Sequence, residues 1–418
     1  MNIAQILEYY HRKDIREEML RLAECREVVP RYRDGGFGKR PQTLKYEKEL
    51  ERWVREGAVS FHMSEERWIN PMMLTPGMRR EEMDRLRTGW DLVLDVDTNF
   101  LEFGRMCAKL LIKALKFHEV RHYFVKFSGR TGWHIIVPYE TFPKEVNGIP
   151  TNRLFPEAAI KISQYLMDMI RNKLSDELLD SFGFEEIVRK SGKKYEELVK
   201  DEEFDPYSLI SIDSIAISSR HLFRMPYSLN EKSWLVSIPV RDVMKFELEQ
   251  AKPENVVVEE GFMEGGRPGE AKQLFIQAYE YEVMRKKEVN LARSIPKKAI
   301  PKQFFPPCIK NILKGLEDGR KRSVFILINF LRSLGWDFDS IEKELYEWNK
   351  RNKEPLRENY IASQLKWHKR NPIYLPPNCD NRNYYLDIGV CQPDPFCKGI
   401  KNPVTYSFKS RRRYRKSR

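Results

Sequence analysis

Asp91-Leu92-Val93-Leu94-Asp95-Val96-Asp97, with Phe127-Ser128-Gly129-Arg130-Thr131-Gly132-Trp133-His134 further along, is the stretch on which the reading of this chain turns. Its first part alternates as a β-strand: Leu92, Leu94 and Val96 fall on one face, Asp91, Val93, Asp95 and Asp97 on the other. Asp95 and Asp97 then point the same way, their Cα atoms ~6–7 Å apart if the strand is regular. Adjacent carboxylates repel, so such a face needs a cation or solvent between them. Hard divalent cations such as Mg²⁺ take oxygen ligands at that spacing. Taken alone, an Asp-x-Asp is more often a solvated strand face near a turn.

The second part shifts that balance. Tyr123 to Phe127 reads as another strand, Ser128 to Gly132 as a glycine-containing turn, and His134 to Tyr139 as a return strand. Gly129 and Gly132 let backbone approach a ligand, and exposed amides in such turns form anion-binding nests. Ser128, Arg130 and His134 would surround a bound anion with donors. The plainer alternatives are a satisfied core histidine and a solvated loop arginine. A metal-binding carboxylate pair beside a phosphate-binding turn points to nucleotidyl transfer.

At 418 residues the chain is long enough for two or three domains, and 41% hydrophobic with 12% aromatic residues excludes a disordered polymer. A formal net charge of +13 suits an anionic partner, of which nucleic acid is the commonest. No run of ~18 apolar residues occurs, so no membrane span is expected. The amino terminus meets charged residues too early for a secretory apolar region. A cytoplasmic, nucleoid-associated location is the expectation.

Residues 1–90 read as mostly helical and charged, with a loop at Arg33-Asp34-Gly35-Gly36-Phe37-Gly38-Lys39-Arg40. The 151–200 region is helical by the spacing of Ala158, Ile162, Tyr165, Leu166 and Met169, and strands are expected to return near 209–217 and 234–240. A charged helical connector, broken by Gly265-Gly266-Arg267-Pro268-Gly269, Pro296 and Pro301, leads to a new domain near Phe305-Pro306-Pro307-Cys308. There 321–336 and 340–351 read as amphipathic helices with basic faces. The basic end, 409–418, reads as a solvated tail that tethers phosphate non-specifically.

Four of the six cysteines, Cys308, Cys379, Cys391 and Cys397, lie in the last quarter of the chain. An intracellular setting disfavours disulfides, so metal ligation is the functional reading. Four thiolates fit either a structural zinc or a 4Fe-4S cluster, and tight Cys-x-x-Cys knuckles are absent. Four unrelated buried thiols are the plain alternative. Cys25 and Cys107 have no partner spacing and read as buried apolar residues.

Three blocks together resemble the archaeo-eukaryotic primase superfamily. Asp91–Asp97 is similar to its first catalytic motif, commonly Glu-Leu-Val-Phe-Asp-Ile-Asp, and Ser128–His134 to its Ser-Gly-x-x-Gly-x-His. Arg220-His221-Leu222-Phe223-Arg224-Met225-Pro226-Tyr227-Ser228-Leu229-Asn230-Glu231-Lys232 resembles the third, Arg-Leu-Ile-Arg-x-Pro-x-Ser-Leu-His-x-Lys, with Asn230 where histidine is usual. The resemblance implies metal binding by Asp95 and Asp97, with Asp213 the best third carboxylate and Asp205 the fallback. It implies nucleotide contacts from Ser128, Arg130, His134, Arg224 and Lys232. The contexts of Cys308, Cys379 and Cys397 look like the carboxy-terminal domain of the primase large subunit, which implies a 4Fe-4S cluster on all four cysteines. Gly319-Arg320-Lys321-Arg322 resembles that domain's basic template- and nucleotide-binding turn, with Tyr360, His368 and Arg370 on a second stretch expected to face nucleic acid.

The implied fold is α+β: a primase-type catalytic domain with mixed or antiparallel sheets and flanking helices, plus a smaller, mostly helical iron-sulfur domain. The expected boundaries are 1–245 for the catalytic domain, with a helical insert at about 151–200, 246–303 for the connector, 304–408 for the iron-sulfur domain and 409–418 for the basic tail. The implied function is de novo synthesis of short primers on single-stranded DNA from NTPs or dNTPs. It would use Mg²⁺ or Mn²⁺, alongside other replication proteins and with no separate large subunit. The alternatives are a primase-polymerase or end-joining polymerase that mainly extends primers with dNTPs, and a catalytically dead single-strand binding factor.

Overall fold

A computed structural model of the chain describes residues 1–418 except 147, 201–202, 213–217, 288–295, 297, 371–372 and 417–418. It divides into two compact units, Met1–Phe275 and Ile276–Arg418. The division falls inside the expected connector.

The first unit is α+β. Its strands are β1 (Val28–Tyr32), β2 (Ala58–Ser64), β3 (Glu66–Trp68), β4 (Arg87–Trp90), β5 (Leu92–Thr98), β6 (Phe124–Phe127), β7 (Trp133–Val137), β8 (Glu145–Val146), β9 (Ile149–Pro150), β10 (Val199–Lys200), β11 (Glu203–Phe204), β12 (Ile210–Ile212) and β13 (Leu222–Arg224). The central sheet runs β12-β5-β7-β6 and is antiparallel throughout. A second antiparallel sheet runs β1-β2-β13. The helix Leu101–Phe117 buries Phe103, Cys107, Leu111 and Leu115, positions four apart that form one apolar stripe. The insert folds as the helices Glu157–Phe182, Phe184–Ser191 and Tyr195–Leu198.

Four strands lie within the first 90 residues, where a mostly helical segment was expected. Every residue of β2 is buried, including Ser60, His62 and Ser64, so the strand lacks the alternation that marks a half-buried one. Its two serines are served internally: Ser60 Oγ donates to Glu231 Oε2 at 3.1 Å and Ser64 Oγ to Glu66 O at 2.6 Å. Residues 234–240 form no named strand. They bridge Leu229 to Val236 and Pro239 to Lys126, so the chain turns back on itself and then runs beside β6.

The second unit is built from the helices Pro307–Leu313, Arg320–Ser333, Phe338–Lys350, Glu358–Arg370 and Pro403–Lys416 around one apolar core. The helix Arg320–Ser333 is buried almost all round, with Arg322 and Arg332 each only 7% exposed, which corrects its reading as an amphipathic helix with a basic face. Residues 409–416 continue a helix where a solvated tail was expected, and the Tyr414 ring lies edge-on to Phe304 at 5.5 Å. Cys25 is exposed, against its reading as a buried residue, whereas Cys107 is buried.

Asp91 shows why only part of the motif strand serves a ligand. It is fully buried, paired with Arg26 and with Arg67 Nη2 at 2.7 Å, and it accepts from Tyr139 N at 3.0 Å. Burial alone would raise its carboxyl, but the two guanidinium groups hold it below the ordinary value. Asp91→Asn should therefore cost about 3–5 kcal/mol in urea unfolding at neutral pH, because buried Arg26 loses its counter-charge and Arg67 is left with Glu140. The depressed pKa makes the wild-type advantage full above the ordinary carboxylate range and lost as pH falls through the folded value. A gap between the two proteins that stays constant into strong acid would contradict this account.

Candidate functional site

One cavity of about 580 Å³ lies between the two sheets of the first unit. Register builds its floor. Asp95 of β5 pairs with His134 of β7, and His134 pairs with Lys126 of β6, so the three side chains share one face. Two residues on, Asp97 pairs with Ser211 of β12. Asp95 is partly buried and Asp97 exposed. His62, Leu222, Phe223 and Arg224 of the second sheet close the opposite wall.

The turn Ser128–Gly132 sits against this floor because its glycines admit close contact. A Cβ at Gly132 would stand 2.7 Å from Val96 O, 2.9 Å from Asp97 Oδ1 and 3.0 Å from Ser128 Oγ. Gly129, at φ +102°, occupies a backbone region that side chains disfavour, and its α-carbon faces Asn230. The hairpin 227–237 is held by Asn230 N to Leu235 O at 2.8 Å and Ser237 N to Ser228 O at 2.9 Å. Asn230 Oδ1 accepts from Lys232 N at 2.9 Å and Ser233 N at 3.2 Å, which folds the tip that carries Lys232. Asn230 thus shapes the loop.

The electrostatics separate supporting charges from exposed ones. Glu231 is flanked by Arg31 at 2.8 Å and Arg224 at 2.9 Å, and Arg224 also donates to Leu229 O at 2.8 Å. Arg224 lines the cavity, yet its guanidinium fastens the hairpin. Arg130 and Lys232 line the cavity and are exposed. His134 Nε2 lies 3.2 Å from Asp95 Oδ1, and no aligned hydrogen bond reaches that buried oxygen. Burial would raise the Asp95 carboxyl, but His134 and then Lys126 draw it below the ordinary range. Burial pushes the Lys126 amine well below its ordinary value, and it donates to Ser237 Oγ at 2.7 Å.

Of the residues singled out in the sequence, Asp95, Asp97, Ser128, Arg130, His134, Arg224 and Lys232 all line this one cavity. Asp213 lies outside the described residues. Asp205 is engaged elsewhere, with Arg171 at 2.6 Å and capping Tyr207 N at 3.2 Å. Sequence reasoning missed Arg31, His62, Lys126 and Lys193, which carry no motif; Lys126 stands two residues before the Ser-Gly turn, where its register with His134 was the available signal. Two carboxylates, one with an unbonded buried oxygen, suit a hard divalent cation in donor chemistry. Among the described residues no three His, Cys, Asp or Glu side chains are close enough to hold a single ion.

In the second unit the four remaining cysteines are drawn together from distant segments. Cys379 N donates to Lys401 O at 2.9 Å, Asn311 Nδ2 reaches Val390 O at 3.2 Å beside Cys391, and Asp394 caps Cys397 N at 3.0 Å. None of these cysteines forms a disulfide. Burial pushes Cys379 up to about 11, and the charges of Cys397 and Cys391 add to it. Cys308 rises further by burial and then by the other three. Thiols are the donor chemistry of a thiophilic metal centre, but among the described residues these four are not gathered closely enough to hold a single ion.

Arg320 and Arg322 occupy the first turn of their helix, Arg320 against Glu354 at 3.3 Å and Arg322 against Asp387. Lys321 Nζ lies 5.3 Å from the centre of the Tyr360 ring. His368 is fully buried, so it does not face nucleic acid as the sequence reading had it.

No family model matches the chain. Part of it is similar to curated proteins named DNA primase large subunit PriL. That of Thermoplasma acidophilum is 35% identical over 128 residues, covering 28% of this chain and 34% of the relative. Those of Thermococcus kodakarensis and Pyrococcus horikoshii are 28% and 30% identical, covering 27% and 25% of this chain and 38% and 36% of the relatives. The chain thus spans little more than a third of the length of these relatives. Among solved structures, the polymerase domain from Mycobacterium tuberculosis Ligase D in complex with DNA gives a TM-score of 0.34 at 14% identity, covering 67% of this chain and 89% of that one. A likeness at that score carries no argument.

Gly132→Ala tests the geometry directly. The added methyl meets a backbone carbonyl, which cannot swing away, so the turn must lift off β5. A displacement near 1 Å in a positioned site costs on the order of a hundredfold. Binding of Mn²⁺–tripolyphosphate, read by calorimetry, should weaken by about that factor while far-ultraviolet circular dichroism is retained.

Proposed function

We propose that this chain is a DNA primase that starts primers de novo on single-stranded DNA by template-directed nucleotidyl transfer. The observation that carries the reading is the meeting of Asp95 and Asp97 with Ser128, Arg130, His134 and Lys232 in one cavity, from three separate stretches of sequence. The similarity of about a quarter of the chain to primase large subunits supports it independently.

Asp95 and Asp97, with Asp213 as the third carboxylate, would hold Mg²⁺ or Mn²⁺. Such ions, when bound, activate the attacking 3′-hydroxyl and offset charge on the leaving pyrophosphate. The protein's own groups do the rest. Exposed Arg130 and Lys232 draw a triphosphate into the cavity and neutralise the charge that grows on its leaving oxygens. The Ser128 hydroxyl and the amides of its turn provide neutral donors. His134, close to Asp95, fixes that carboxylate on the cavity floor. Arg224, through Glu231 and Leu229, keeps the Lys232 hairpin folded.

In the second unit Cys308, Cys379, Cys391 and Cys397 would hold a 4Fe-4S cluster, whose role is to join the segments that bear them. Arg320 and Tyr360 would engage the template and the initiating nucleotide, while Arg322, expected in the same role, is buried against Asp387 and would brace their turn. On this reading one chain provides both catalytic and initiating functions without a separate large subunit, in the nucleoid and beside other replication proteins. Among the described residues no helix is long and apolar enough to cross a membrane.

The deciding assay is primer-free synthesis on single-stranded DNA, with NTPs and dNTPs compared. Wild type should make short products, and Asp95→Ala with Asp97→Ala should reduce them to background. Products only from a supplied primer, with dNTPs alone, would instead select an extending polymerase. Unchanged synthesis by the double variant would move the active site elsewhere.

Protein purified anaerobically should show visible charge-transfer absorbance, with iron and inorganic sulfide near four each per chain. Cys308→Ser should lose most of both. Stoichiometric zinc without sulfide would replace the cluster assignment with a structural zinc.

A further inference from the structure

The loop 33–40 presents an aromatic ring that the proposed chemistry leaves unused. Phe37 is 50% exposed, yet its backbone is fixed. Tyr32 N donates to Gly36 O at 2.8 Å, Gly38 N donates to Pro30 O at 2.9 Å, and Phe37 bridges to Arg31. Arg40 anchors the far end through Glu27 at 2.8 Å, and the Arg33 guanidinium lies 5.5 Å from the ring of Trp234 on the Lys232 hairpin. A lone exposed phenylalanine needs no explanation. This one is held rigidly at the edge of the catalytic cavity.

Its neighbours make the position chemical. The Phe37 ring stands 5.1 Å from the His62 ring at an interplanar angle of 78°, and the Arg31 guanidinium lies 5.2 Å from its centre. Arg31 and His62 both line the cavity that holds Asp95 and Asp97. His62 is 8% exposed, and its Nε2 has no hydrogen-bond partner. Burial, followed by the charges of Arg224, Arg31 and Lys126, drives this imidazole well below its ordinary pKa. It is therefore a neutral side chain with an unused polar nitrogen on a cavity wall, and a buried polar atom of that kind calls for a partner.

We infer that Phe37 and His62 form a nucleoside subsite beside the catalytic carboxylates, in which a nucleobase stacks on the Phe37 ring and the nucleoside hydrogen-bonds His62 Nε2. The ligand class is a purine or pyrimidine nucleoside, carried either by the bound triphosphate or by a single-stranded template. Base–aromatic stacking tolerates every base, because each has a π-face. The subsite would therefore hold nucleotides without selecting among them, leaving selection to the template. This inference rests on the reading of the cavity as a triphosphate site.

The test uses the full chain and three probes, ATP and tripolyphosphate, each with Mn²⁺, and a fluorescent oligo(dT), with affinities measured by calorimetry or anisotropy. Phe37→Ala, a surface change, should weaken ATP or oligo(dT) about tenfold, within the range that one lost stack accounts for. Tripolyphosphate, which has no base, should bind it as it binds wild type, and Phe37→Trp should restore the lost affinity. His62→Gln, with its fold checked by thermal melting, should lower ATP or oligo(dT) affinity and leave tripolyphosphate unchanged. Loss of ATP binding assigns the base to the triphosphate, and loss of oligo(dT) binding assigns it to the template. Wild-type affinity for both in Phe37→Ala overturns the subsite but not the cavity. Failure of wild type to bind tripolyphosphate and ATP alike overturns the cavity reading, and the subsite with it.

Discussion

The pairing register of β5, β7 and β6 is the constraint on which the rest of the first unit depends. Because side chains alternate along a strand, a one-residue slip between β5 and β7 would turn His134 away from Asp95, and one between β7 and β6 would turn Lys126 away from His134. In the observed register Asp95, His134 and Lys126 form a row across three strands. That row also reaches beyond the sheet. Lys126 donates to Ser237 Oγ, and Ser237 Oγ donates to Phe127 O at 2.8 Å, so the third motif's hairpin is tied to the strand that precedes the Ser-Gly turn. Lys232 and Arg130 therefore line one cavity because strands distant in sequence share a register.

A cavity rich in charge is unstable unless the charges that face away from the ligand neutralise one another. Here they do so in small closed groups. Asp91 answers Arg26 and Arg67, Glu231 answers Arg31 and Arg224, and Glu66 answers Arg87. All three carboxylates are nearly or fully buried, so removing one of them leaves a guanidinium group short of counter-charge in a poorly solvated place. Asp97, Arg130 and Lys232 differ in being exposed on the cavity. The division separates residues whose charge is spent inside the fold from residues that stand exposed on the cavity. It also explains why Asp91, on the same strand as Asp95 and Asp97, belongs to the first group.

Much of this was legible in the sequence, and the failures have physical causes. The strand Leu92–Thr98 and the turn after Phe127 declare themselves by alternation and by glycine, both local signals. β1 and β2 escaped because burial on both faces removes alternation, and Pro30, Ser60 and His62 look unlike strand-core residues until their partners are known. Arg224 was read as a nucleotide contact from its motif, whereas its guanidinium is taken up by Glu231 and Leu229. His62 was invisible for a related reason, and Lys126 was marked only by its place two residues before the Ser-Gly turn. Their meaning lies in which strands pair, and a single sequence does not state that.

The second unit poses the converse problem, since its apolar core and its thiols make separate demands. The core contains Phe305, Ile309, Val324, Ile341, Trp348, Ile361 and Val404, so all five of the helices named above contribute to it. Segment 373–402, which bears three of the four thiols, has only short helical turns, and it joins the core through Tyr374, Tyr384, Tyr385 and Val390. Burial and mutual repulsion keep Cys308 and Cys379 protonated, so the thiols do not by themselves favour being gathered. A bound cationic centre would reverse that sign, making their proximity favourable and tightening the irregular segment onto a core that already exists. In the proposed reading the cluster is therefore a fastener for 373–402 more than a nucleus for the helices. Its loss should loosen the edge of the unit before it unfolds the middle.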